Sequence, residues 1–182
     1  MRIIGGRLKG RRFTPPAKNW PTRPTTDISK EGLFNILTNR ISFEGTRMLD
    51  LFGGTGNHCY EFISRGCTDA TYVDKFGPAV GYVKRTAKEL EIDEFLTIVK
   101  SDVFKFMERT GETYDYIFAG PPYPLPNLDD IPNVLFEHQL LRPEGLFVLE
   151  HNPRHDFSDH PYFEEMRAYG QTQFSFFRIV GD

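Results

Sequence analysis

From Arg47 onward the apolar residues fall into short runs, each long enough for one strand and too short for a buried helix. The runs are Met48–Phe52, Ala70–Asp74, Leu96–Lys100, Tyr114–Phe118 and Leu146–Glu150. Between them lie helical patterns: one that follows Gly53-Gly54-Thr55-Gly56 and runs through Arg65, one over about Pro78–Glu89, a short one over Phe104–Arg109, and one over Ile131–Gln139. Leu140–Gly145 reads as a turn into the last of these strands, and Phe163–Arg167 with Gln173–Val180, parted by Tyr169-Gly170, reads as a closing antiparallel pair. Alternating strands and helices predict an α/β fold of Rossmann-like type: a mostly parallel sheet covered on both faces, with an antiparallel strand pair at its C-terminal end.

The first third of the chain follows other rules. Leu33, Phe34, Ile36 and Leu37 recur at three- and four-residue steps and predict a helix over Ser29–Asn39, with Asp27 or Ser29 as its N-cap. Arg2–Phe13 alternates β-forming residues with Gly5-Gly6 and Gly10, the pattern of a small hairpin that bears arginines. Thr14–Pro24, with four prolines and Trp20, is an extended connector.

Composition bounds what such a chain can do. Its 182 residues, 39% hydrophobic and 14% aromatic, suit one domain, placed at 25–182, preceded by an extension over 1–24. The apolar runs fall far short of the roughly 18 residues of a membrane helix, and the start, Met-Arg-Ile-Ile-Gly-Gly, is too polar for a secretory signal. A cytoplasmic protein, expected to be a monomer, follows. Cys59 and Cys67, eight residues apart, suit core thiols better than a disulfide framework or zinc site. The net charge of −3 hides an asymmetry: residues 1–30 hold eight basic side chains against Asp27 alone, a net +7, so the remainder carries −10. A basic arm on an acidic body suggests a polyanionic partner, because Lys and Arg neutralising phosphates supply most non-specific nucleic-acid affinity.

Candidate chemistry gathers at the carboxyl ends of the predicted strands, where open α/β sheets bind ligands. Asp50 and the glycine loop 53–56 end the first strand and allow a ligand close to the backbone. Asp74 ends the second strand, where a carboxylate can accept both hydroxyls of a ribose, and Asp102 follows the third, suited to an adenine amino group. These features fit a dinucleotide or a nucleoside cofactor. The loop lacks the third glycine of a pyrophosphate-binding finger, Tyr60 standing near its place, which favours the smaller ligand. After the fourth strand, Gly120-Pro121-Pro122-Tyr123 makes a rigid, aromatic-tipped loop, because neither proline can donate to a ladder. His58 reads as a helix-face residue, with contact to the bound ligand as the alternative. The run His151, His155, Asp156, Asp159 and His160 has loop-like spacing and contains Pro153, which disfavours a preformed metal site, so no metal is expected.

DLFGGTG, YVD, KSD and the Pro-Pro-Tyr loop together resemble a class I S-adenosylmethionine-dependent methyltransferase with an Asp/Asn-Pro-Pro-Tyr/Phe motif. RIIGGRLKGRRF and RPTTD narrow the resemblance to the bacterial family that methylates the exocyclic N2 of a guanine in 16S ribosomal RNA. It extends from Arg2 to about Arg178. The resemblance implies cofactor contacts at Asp50, Phe52, Gly53, Gly54, Thr55 and Gly56, then at Asp74, Lys75, Asp102, Val103 and Gly120. It further implies catalysis at Gly120, Pro121, Pro122 and Tyr123, with Tyr123 stacked on a base taken out of its paired setting. RNA contacts would fall on Arg7, Lys9, Arg11, Arg12 and Arg23, to small-subunit RNA alone or in an assembling particle. Position 120 departs from the motif: glycine keeps the main-chain carbonyl that would accept from the target amino group and lacks the side-chain acceptor. Two functions follow, a methyltransferase or a weakly active or silent RNA- and cofactor-binding protein of the same fold.

Overall fold

The computed structural model describes residues 1–16, 18, 20–21 and 25–179. Arg23, and the last residue of the expected strand Gln173–Val180, lie outside them. Among the described residues seven strands form one sheet: β1 (Arg47–Leu51), β2 (Asp69–Asp74), β3 (Leu96–Lys100), β4 (Tyr114–Ala119), β5 (Leu141–His151), β6 (Phe163–Tyr169) and β7 (Thr172–Phe177). Their order is β3-β2-β1-β4-β5-β7-β6, with β7 antiparallel to β5 and to β6, and the other pairings parallel. The helices are α1 (Asp27–Thr38), α2 (Asn57–Ser64), α3 (Gly77–Glu89), α4 (Val103–Arg109) and α5 (Ile131–Glu137).

The central strands are buried because they are covered on both sides. Side chains of β1, β4 and β5 alternate between two apolar layers: Met48, Tyr116, Phe118, Leu146 and Val148 enter one, with α1 and α2, while Leu49, Leu51, Ile117, Ala119, Phe147 and Leu149 enter the other, with α4 and α5. The chain steps from β1 outward to β2 and β3, then returns to the other side of β1 for β4. That reversal opens a crevice beyond the carboxyl ends of β1 and β4, the place where such sheets bind ligands.

Two expectations are corrected, the N-cap of α1 and the start of β5. The N-cap of α1 is Thr26, whose hydroxyl accepts the Ser29 N–H at 3.2 Å, so that Asp27 falls in the first turn instead. β5 begins at Leu141, not Leu146: Leu141 pairs with Tyr114, and the register then slips before Leu146 joins Tyr116, so the predicted turn is an irregular stretch of the strand. Glu144, at φ 67°, carries that irregularity. The hairpin over residues 2–13 has a single bridge, Arg2 to Arg12, supported by Ile3 N–H to Arg11 O at 2.9 Å and Phe13 N–H to Met1 O at 3.1 Å.

The hairpin is held by α2 rather than by its own ladder. The main-chain N–H groups of Ile4 and Gly5 donate to the two oxygens of the buried Glu61, each at 2.9 Å, and Leu8 N–H donates to Ser64 Oγ at 3.0 Å. Glu61 also takes the Lys30 ammonium at 2.9 Å and Arg65 at 2.8 Å. These donors hold the Glu61 carboxyl below its ordinary range against the opposing effect of burial. Ile3, Leu8 and Phe13 enter the same apolar layer as α1 and α2, while Arg7, Lys9, Arg11 and Arg12 are exposed.

Candidate active site

A cavity of about 380 Å³ occupies the crevice, within the usual size of small-molecule sites. Three loops that follow β1, β2 and β3 form one wall. In the first, Phe52 is held at φ 59°, a conformation uncommon outside glycine, and the turn that follows needs glycine for close packing. A Cβ on Gly53 would stand 2.3 Å from the Tyr72 ring, and one on Gly56 2.5 Å from the Tyr60 ring. Tyr72 then donates its hydroxyl to Gly54 O at 2.6 Å, fixing the loop over β2. Phe52, Gly53, Gly54 and Thr55 line the cavity; Gly56 stands behind it as the N-cap residue of α2.

The predicted acids converge there. Asp50, 1% exposed, meets the Cys59 thiol at 3.3 Å, and burial, reinforced by the charges of Asp74 and Glu150, pushes its carboxyl up to about 8. Asp74 accepts the N–H of Gly54 on one oxygen and that of Phe76 on the other, both at 2.9 Å. Asp102 caps α4 by accepting the Lys105 N–H at 3.1 Å. Lys75 and Val103 complete this wall.

Gly120 and Pro122 form the facing wall, with Gly120 N–H bonded to Leu51 O at 3.2 Å across the crevice floor. Pro121 and Tyr123 stand outside the lining; the Tyr123 hydroxyl donates to Glu150 Oε2 at 3.1 Å. Sequence reasoning missed several groups. Glu150, next to last in β5 and 3% exposed, lines the cavity and accepts from the Thr25 hydroxyl at 2.6 Å. Its position as an acid closing an apolar strand pattern was the signal, as it was for Asp74. His58, read as a helix-face residue, sits on α2 and is buried along the cavity: its ring stacks on Phe118 with centroids 3.9 Å apart and its Nε2 meets the Tyr116 hydroxyl at 2.9 Å. Burial holds this imidazole well below its ordinary range, so it is neutral. Lys30, 28 residues upstream of His58, also reaches the cavity, bonding Asn57 Oδ1 at 2.6 Å and Arg2 O at 2.9 Å, and so connects the hairpin to the site.

The His151–His160 run has structural partners: His151 bonds Ser175 Oγ at 2.7 Å and His155 bonds Asp129 at 2.6 Å. No group of three His, Cys, Asp or Glu among the described residues could hold a metal. Among the same residues no helix is long and apolar enough to cross a membrane.

The chain has the fold of the class I S-adenosylmethionine-dependent methyltransferases. It superposes with TM-score 0.68 on the T. thermophilus 16S rRNA N2 G1207 methyltransferase solved with AdoMet and guanosine, at 19% identity over 85% of this chain and 43% of that one. It belongs to the family described as conserved hypothetical protein 95, matched over residues 1–178. Among its relatives, Bacillus subtilis YlbH is 34% identical over 84% of this chain and 83% of its own. The ribosomal RNA small subunit methyltransferase D of Haemophilus influenzae is 27% identical over 82% of this chain and 78% of its own.

Proposed function

We propose that the protein transfers the methyl group of S-adenosylmethionine to the exocyclic N2 of a guanine in small-subunit ribosomal RNA. The observation that carries this reading is the cavity at the switch between β1 and β4, where acids from three successive strand ends face the Pro-Pro-Tyr loop. The names of the relatives favour an enzyme over a silent binding protein and supply the substrate class.

The residues present suit this cofactor, which would supply an electrophilic methyl on a sulfonium. Asp50 offers a buried carboxyl to its α-ammonium, and the loop 52–56 receives the methionine portion. Each Asp74 oxygen uses one acceptor site on a main-chain N–H and keeps capacity for a ribose hydroxyl. Asp102 and Val103 meet the adenine, with Lys75 beside them. On the other wall the Gly120 carbonyl accepts from the target amino group, while Pro121 and Pro122 fix its direction and Tyr123 flanks the base. When bound, the cofactor would offer this methyl to the N2 lone pair, its sulfur keeping the bonding pair, and one N2 proton would pass to solvent. Because the N2 lone pair is delocalised into the ring, alignment supplies much of the rate.

Residues 1–24 act as an RNA-binding extension of the catalytic domain 25–182, through Arg7, Lys9, Arg11, Arg12 and Arg23. The protein acts as a cytoplasmic monomer on RNA, alone or in an assembling particle. Incubation with labelled S-adenosylmethionine and small-subunit RNA, followed by nucleoside analysis, tests the reading. N2-methylguanosine is expected; cofactor and RNA binding without any methylated nucleoside would refute it.

A further inference from the structure

We propose that Trp20 is a positioning residue of the cofactor site, which holds the ring of Phe76 against the adenine of S-adenosylmethionine. This role rests on the methyltransferase reading and assigns part of cofactor binding to a connector otherwise counted with the RNA-binding extension.

Three observations carry it. Trp20 packs edge-on against aromatic rings from two different elements. One is Phe76, in the loop that follows β2, with centroids 5.7 Å apart and planes at 72°; the other is Tyr82 of α3, at 6.1 Å and 73°. Such T-shaped pairs contribute beyond the apolar area that they bury. Second, Phe76 lines the cavity, and so does Pro21, the neighbour of Trp20. The connector therefore reaches the site directly as well as through Phe76. Third, the main chain of Phe76 is fixed next to the sugar position, its N–H donating to Asp74 Oδ1 at 2.9 Å.

This arrangement follows the shape of a nucleoside. With the ribose hydroxyls on Asp74, the attached base falls between the ends of β2 and β3, where Phe76, Val103 and Phe104 line the cavity with apolar side chains. A planar purine gains most from walls that are already in place, because every side chain ordered on binding costs free energy. The Phe76 ring is only half-buried, so it needs a support to stay in place. Trp20 supplies that support, and Tyr82 on α3 gives Trp20 its own footing.

The test measures, by calorimetry, the affinities for S-adenosylhomocysteine and for methylthioadenosine, which keeps the adenosine and lacks the amino-acid end. Trp20→Ala should weaken both by a similar factor, roughly 5- to 30-fold, the size of lost aromatic packing and preorganisation. Trp20→Phe keeps a ring against Phe76 and should stay within about 3-fold of the wild type. In a Phe76→Ala background the Trp20→Ala step should cost less than about 3-fold, since its effect passes through that ring. A loss confined to S-adenosylhomocysteine, or a full loss in the Phe76→Ala background, would overturn the proposal. Unchanged affinity for both ligands in Trp20→Ala, whatever its stability, would leave Trp20 a structural residue only and overturn it too. Trp20 is also the single tryptophan of the chain. Its emission in the wild type should therefore change as S-adenosylhomocysteine is added and saturate with the calorimetric affinity; constant emission would contradict the contact. A wild type that binds neither ligand would instead refute the underlying cofactor reading.

Discussion

Asp50 gives the site a measurable pH signature. The carboxyl is buried beside Asp74 and Glu150 and titrates at about 8 in the fold, against about 3.9 in an unfolded chain. A carboxyl with a raised folded value contributes stability that is fully present below the unfolded value and lost as pH rises through the folded one. At 1.36 kcal/mol per unit, the empty protein loses on the order of 5 kcal/mol between pH 4 and pH 8 through this group, with burial the dominant cause. Asp50→Asn, isosteric and neutral, removes this dependence. Denaturant midpoints of the wild type and the variant, measured at each unit from pH 5 to pH 8 without cofactor, should diverge, the variant gaining with every unit. Bound cofactor acts in the opposite sense: its α-ammonium beside Asp50 favours the carboxylate, so binding at pH 7 should release close to one proton, seen as a dependence of calorimetric heat on buffer ionisation. Parallel stability profiles would refute the raised titration of Asp50. Proton-neutral binding would refute the pairing of Asp50 with the cofactor.

Other outcomes follow from the same geometry. Asp74→Ala leaves the Gly54 and Phe76 N–H groups without their carboxylate; at ~1–3 kcal/mol for each unsatisfied donor, it should lower stability and weaken cofactor binding together. A stability loss at unchanged cofactor affinity, by calorimetry, would remove the ribose role. Charge reversal at the exposed Arg11 and Arg12 should reduce the salt slope of RNA binding by about 2 and leave cofactor affinity alone. Equal loss of both affinities would contradict this. Gly120→Asp adds a side-chain acceptor beside the main-chain carbonyl, with its Cβ 3.1 Å from Phe118. It should raise the rate, as read by single-turnover methylation, and an unchanged rate would remove the assigned role of position 120.

The parallel half of the fold was legible because its strands are buried on both faces and therefore read as continuous apolar runs. Met48–Phe52 and Tyr114–Phe118 were located within a residue of β1 and β4. Where local chemistry was ambiguous, tertiary contacts decided. Thr26, not Asp27 or Ser29, caps α1, although all three residue types suit the position. Leu141 was hidden from β5 by Pro143 and Gly145, which read as a turn although the strand passes through them with a slipped register. The hairpin's attachment to Glu61 joins residues 56 and 57 positions apart through main-chain donors, which no side-chain pattern reveals. In the site, the acids at strand ends were visible individually. The place of Glu150 on the same cavity was not, because it depends on β4 and β5 being neighbours.

Guanine-N2 methylation is tested most directly by digesting small-subunit RNA to nucleosides after reaction with the purified protein and isotopically labelled S-adenosylmethionine, and identifying the labelled species by mass spectrometry. One labelled species, N2-methylguanosine, is predicted. Label on a different base, or on a ribose hydroxyl, would contradict it.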